Sequence, residues 1–208
     1  MPLKNDRQYR QATFQVRELQ EGEEKKYIVE GYATTWERYP LYDFGDEVIY
    51  EQFSREDFAG TKMDDVIFQY NHDGKVFARM SNDTLKLSFD DRGLKVVADL
   101  SLTEASRAMY EEIASGLVTK MSWGFLPAGS PEYDEKTSTI TWKCGIKKIY
   151  DVSAVSIPAN DTTEISARSL CDGVIEKALE ERKKAEDLAN RRKRELALLT
   201  LLELEEIE

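Results

Sequence analysis

One histidine serves all 208 residues, and cysteine is nearly as scarce, with Cys144 and Cys171 the only two. Each shortage excludes something. Two thiols do not make a disulfide framework, neither has a metal-ligating neighbour at zinc-like spacing, and reduced side chains are the expectation for both. No stretch approaches the roughly 20 apolar residues of a membrane span. Met1–Arg10 has no apolar core, so no secretory leader is expected there. Basic charge is in deficit. The 29 Lys and Arg against 40 Asp and Glu leave a net charge of −11, which argues against nonspecific nucleic-acid binding and against docking on an anionic membrane. The single imidazole matters most. Proton transfer near neutral pH usually needs one, so any serine or cysteine chemistry here must use His72 or a substitute such as lysine. By itself a solitary histidine is more often a structural residue than a base.

What is present reads as β structure followed by helix. Residues 1–11 are polar and expected to be disordered. Thr13–Leu19 alternates, Gly22 marks a turn, and Tyr27–Trp36 reads as the return strand. Pro40–Glu47 reads as a loop, Val48–Tyr50 as a short strand, and Ser54–Phe58 as a short helix capped by Ser54. Four short segments follow, at Asp65–Tyr70, Val76–Met80, Thr84–Phe89 and Leu94–Leu100, with a hairpin signal at Asp91-Arg-Gly93. Thr103 opens a helix running to about Ala114, closed by Ser115-Gly116. Strands resume at Thr119–Leu126, Thr137–Lys143 and Ile146–Ile157, and Pro158-Ala-Asn160 ends the β region. Beyond Gly173 the composition shifts to Glu, Lys, Arg, Ala and Leu. That is a long helix, apolar-rich at Leu196–Leu204 and suited to a partner.

Three segments carry candidate chemistry. Ser122 sits in a strand-like run, Lys120-Met-Ser-Trp-Gly-Phe125, where Gly124 lets another backbone approach. A serine hydroxyl becomes a nucleophile only when a base takes its proton. His72 lies in Gln69-Tyr-Asn-His-Asp-Gly74. Asp151 interrupts the apolar-leaning run Ile149–Val155, and by alternation shares a face with Ser153 and Val155. An acid on an inward strand face needs a partner. Asp73, beside His72, reads as a turn residue with Gly74. Asp43, Asp46 and Glu47 lack the ordered ligand spacing of a calcium loop.

Taken in order, these segments resemble the prohead proteases of tailed bacteriophages, capsid-maturation serine proteases similar in fold to herpesvirus assemblin. The resemblance runs over Val29-Glu-Gly-Tyr-Ala-Thr-Thr-Trp36, Asp46–Phe53, Asn71-His72-Asp73, Asp91-Arg-Gly-Leu94, Leu117–Phe125 and Asp151-Val-Ser-Ala-Val-Ser-Ile-Pro-Ala-Asn160, together about residues 12–165. Two positions depart from it. Ala78 precedes Arg79 where the family often has glycine, and Asp151 stands where the family often has glutamate.

The resemblance implies a mainly β domain with helices, a small antiparallel, herpesvirus-protease-like barrel at 12–165. A helical extension at 166–208 would serve targeting or self-association. It implies a serine endopeptidase that cleaves coat and scaffold polypeptides, and itself, inside a procapsid assembling in the host bacterial cytoplasm. Ser122 is then the nucleophile, His72 the base and Asp151 the acid that orients it, with Arg79 and the amides near Gly124 as candidate oxyanion donors. The substrates are the major capsid protein and the scaffold, and the C-terminal helix is a candidate route to homo-oligomers. No cofactor, metal, nucleic acid or membrane is expected. The alternative is a noncatalytic capsid-assembly or scaffolding protein on the same fold.

Overall fold

The computed structural model describes residues 8–16, 27–44, 47–156 and 165–205. In chain order its elements are β1 (Gln8–Val16), β2 (Ile28–Thr35), β3 (Tyr39–Asp43), β4 (Val48–Gln52), a 3-10 turn (Arg55–Phe58), β5 (Ile67–Tyr70), β6 (Asp73–Arg79), β7 (Leu85–Phe89) and β8 (Gly93–Asp99). Then follow α1 (Glu104–Ala114), β9 (Lys120–Pro127), β10 (Glu132–Asp134), β11 (Thr139–Thr141), β12 (Ile146–Val155) and α2 (Ile165–Glu205). The turn expected at Gly22, the Pro158-Ala-Asn160 stop and Asp46 lie outside the described residues, as do the side chains of Leu196–Leu204.

The fold is mixed α and β, mostly strands. Eight strands form one sheet in the order β6-β5-β12-β9-β1-β2-β8-β7, and four form a second in the order β10-β11-β4-β3. The expected barrel closure is not found. The edge strands β6 and β7 touch, but no ladder joins them among the described residues. Nor are the sheets wholly antiparallel, because β12 runs parallel to β5 and β11 parallel to β4. In both pairs the partners are far apart in sequence, so a long connection sets their direction where a hairpin would force them antiparallel.

The core is aromatic. Met121, Trp123 and Phe125 alternate along β9 and are buried. Trp123 stacks on Phe125 with ring centroids 4.4 Å apart. Phe53 meets both rings edge-on and stacks on Trp142 at 6.1 Å. These contacts pack the second sheet and the 3-10 turn against the first, on the face of β9 opposite Ser122.

Three local readings needed correction. Residues 8–11, expected to be disordered, belong to β1, where Gln8 and Arg10 are buried. Polar composition misleads there because Arg10 is held by Glu51 of β4, Nε to Oε2 at 2.5 Å. Pro40, placed in a loop, lies in β3, an edge strand, where its missing N–H costs no ladder bond. The C-terminal helix starts at Ile165, well before Gly173. Cys171 and Ile175 are buried on it and belong to the core. Among the described residues, no helix is long and apolar enough to cross a membrane.

Candidate active site

β12 is the last strand in sequence and lies between β5 and β9, which brings the three candidate segments side by side. Ser153 on β12 stands opposite Ser122 on β9 and beside Gln69 on β5. Directly paired residues share a face of the sheet, so Ser122 and Ser153 point the same way. Asp151, two residues back, points with them.

A bulge makes this possible. Ile149 is paired with Phe125 and Asp151 with Gly124, so Tyr150 is the extra residue between them. In a regular ladder Asp151 would stand opposite Trp123, on the aromatic face. The extra residue turns the carboxylate to the side of Ser122, a re-aiming for which bulges near active sites are known. Gly124 opposite adds no side chain.

His72 arrives from a tight hairpin. Only Asn71 and His72 separate β5 from β6, and both have positive φ, 49° and 57°. Positive φ at both central residues is the mark of a type I′ turn, and Asn and His tolerate it better than most residues. Asn71 anchors the turn to the end of β12. Its N–H donates to the Ala154 carbonyl at 2.8 Å, and its side-chain carbonyl accepts from the Ser156 N–H at 3.2 Å.

From that turn the ring meets Asp151, with His72 Nδ1 2.5 Å from Asp151 Oδ2. The same oxygen accepts from Ser153 Oγ at 2.9 Å. The side chain of His72 is 11% exposed and Asp151 as a residue 1%. A carboxylate so deeply buried depends on such partners. Ser122 is 2% exposed, and among the described residues its Oγ makes no hydrogen bond. A buried hydroxyl left so costs about 1–3 kcal/mol and calls for an explanation.

The structure thus joins His72 to Asp151 and sets Ser122 on Asp151's face of the neighbouring strand, without a formed Ser122–His72 hydrogen bond. Such bonds are often long until substrate tightens them. The other candidates stand apart. Asp73 is exposed on β6, and Arg79 is tied to Asp65 at 2.6 Å. β9 is paired on both sides at Ser122, by Gln11 of β1 and Ser153 of β12, so the amides of that stretch serve the ladders. Among the described residues no cluster of His, Cys, Asp and Glu has the makings of a metal site.

The family model for the caudovirus prohead serine protease matches residues 12–196. The chain belongs to that family. Neither a curated protein nor a solved structure matches it. As a caudovirus prohead serine protease, the protein has a protease role in phage capsid maturation, with capsid proteins as substrates and the procapsid as its place of action. The match runs past the last strand and through most of α2.

Sequence reasoning missed Ser153 as a partner of Asp151. The residue stood in the quoted motif and on the right face by alternation, and that was the available signal. The bulge at Tyr150 had none.

Proposed function

We propose that the protein is a serine endopeptidase using Ser122 as nucleophile, His72 as base and Asp151 as the orienting acid. The observation that carries this is the His72 Nδ1–Asp151 Oδ2 contact of 2.5 Å on the face that Ser122 shares. An Nδ1–H donated to Asp151 fixes the tautomer that leaves Nε2 able to accept a proton. Ser122 Oγ attacks the scissile carbonyl while its proton passes to Nε2. The tetrahedral oxyanion collapses, the C–N bond breaks, and the imidazolium gives its proton to the leaving amine. Water then attacks the acyl-serine, losing a proton to His72, and the ester C–O bond breaks as His72 returns that proton to Ser122 Oγ, releasing the acid and regenerating both residues. Asp151 stabilises the imidazolium in both halves. The substrates are the major capsid protein and scaffold, and the chain itself, within a procapsid in the host cytoplasm. The near-approach of β6 to β7 supports a barrel-like arrangement of the kind in herpesvirus assemblin, and α2 serves to target or pair the protease.

Coexpression with the cognate coat protein is the direct test. Wild type should process coat, whereas Ser122→Ala and His72→Ala, both folded, should lower cleavage by about 10⁴–10⁶-fold because such residues act as a unit. Wild-type cleavage by Ser122→Ala removes it as nucleophile, and no coat processing by any of the three favours a noncatalytic assembly protein.

A further inference from the structure

Ser153 is wholly buried, lies beside the proposed acid, and takes no part in the mechanism above. Its Oγ donates to Asp151 Oδ2 at 2.9 Å, the same oxygen that faces His72 Nδ1. It is also the residue directly opposite Ser122. We propose that Ser153 is a positioning residue for the His72–Asp151 pair, holding the carboxylate in the rotamer that aims Oδ2 at the ring. This rests on the protease reading of the site.

A carboxylate on a strand turns freely about its last torsion unless something fixes it, since that terminal sp³–sp² rotation is broad. Asp151 Oδ1 is buried and makes no hydrogen bond among the described residues. Orientation therefore falls on the Oδ2 side, where the hydroxyl of Ser153 and the ring of His72 converge. Ser153 is the anchored one of the two. Its strand is paired on both edges at that point, with Gln69 and Ser122, whereas His72 rides on a two-residue turn. The alternation that gives Ser153 the face of Asp151 also places it in register with Ser122. Threonine has the same hydroxyl and a β-branched body that strands accept; alanine fits the same space without the donor.

Because His72 is the only histidine, histidine-labelled full-length protein gives one imidazole to observe by NMR. Wild type should show a single far-downfield Nδ1–H proton. Ser153→Ala should broaden it or move it upfield and lower kcat for coat cleavage about tenfold, the effect of one hydrogen bond to a carboxylate, with KM unchanged. Ser153→Thr should restore both. A Ser153→Ala protein with wild-type signal and kcat overturns the proposal, and so does a loss that threonine fails to restore while the variant stays folded. Ser122→Ala, run in parallel, separates the two ideas. Undiminished cleavage there removes Ser122 as nucleophile and with it the catalytic assignment on which the proposal rests, while the proton signal still reports whether Ser153 fixes the Asp151–His72 pair.

Discussion

At the scale of single residues, the acid has the most conditional place in the site. Asp151 reaches the face of Ser122 only because Tyr150 is bulged out, and it meets His72 only because a two-residue turn presents the ring. Asp151→Asn keeps the shape and removes the charge, so turnover should fall by about 10²–10⁴, less than on loss of Ser122. Coat cleavage measured beside an unchanged thermal midpoint checks this, and full activity would move the orienting role elsewhere. His72 and Ser122 were legible in the sequence because scarcity and motif singled them out. The side of β12 on which Asp151 stands was legible only relative to Ser153. Alternation also groups Ile149 with Asp151, yet the structure puts them on opposite faces, and no residue preference announces a bulge.

At the scale of elements, most strands and α1 were legible from alternation, turn residues and the Thr103 cap, whose hydroxyl accepts from the Ser106 N–H at 3.0 Å. β1 began earlier than its pattern suggests because a buried ion pair replaces apolar alternation. Glu51 is its centre, and accepts from Arg10, from Trp142 Nε1 at 2.7 Å and from the hydroxyl of Tyr39. Arg10 in turn donates to Cys171 Sγ at 3.6 Å, which ties β1 to α2. Burial opposes the charge on Arg10, but Glu51 outweighs it and the guanidinium stays protonated. Burial, then the nearby Glu51 carboxylate, pushes the Tyr39 hydroxyl well above its usual range. A raised folded-state pKa stabilises the fold fully below the unfolded value of about 10, and that contribution fades as pH rises past it. Tyr39→Phe should therefore lose roughly 1–3 kcal/mol at pH 7 with one donor to Glu51 gone. It should also show a shallower decline of stability above about pH 10 than wild type. Urea titrations at pH 7 and pH 10.5 measure both, and parallel declines would show that Tyr39 does not titrate with folding.

At the scale of the whole molecule, the helix divides in two. Cys171 and Ile175 belong to the core, whereas Glu176–Lys193 is mostly exposed, with Leu179 and Leu188 facing solvent and i,i+4 pairs at Arg182–Glu186 and Glu180–Lys184. The composition shift after Gly173 showed a helix, but it gave no sign of where docking ends. A cut after Glu181 should leave a folded protein that still reacts with a serine-directed phosphonate and no longer enters procapsids. Probe labelling and the protease content of procapsids are the paired measurements, and normal packaging would locate targeting outside the removed segment. Strand order was not legible either, because parallel partners such as β5 and β12 leave no local signal.

The position of β12 also sets a clock. Strand pairings between distant segments form late, since the loop between them must close first. Asp151 lies 79 residues after His72, on the strand that must slide between β5 and β9. Until it does, serine and histidine belong to strands with a gap between them, and the imidazole has no carboxylate. On the catalytic assignment proposed above, the site lacks its acid until β12 is in place, so a chain still emerging from the ribosome is expected to be inactive through β1 to β11. On that assignment, capsid proteins present during synthesis meet no complete catalytic site before the last strand is placed.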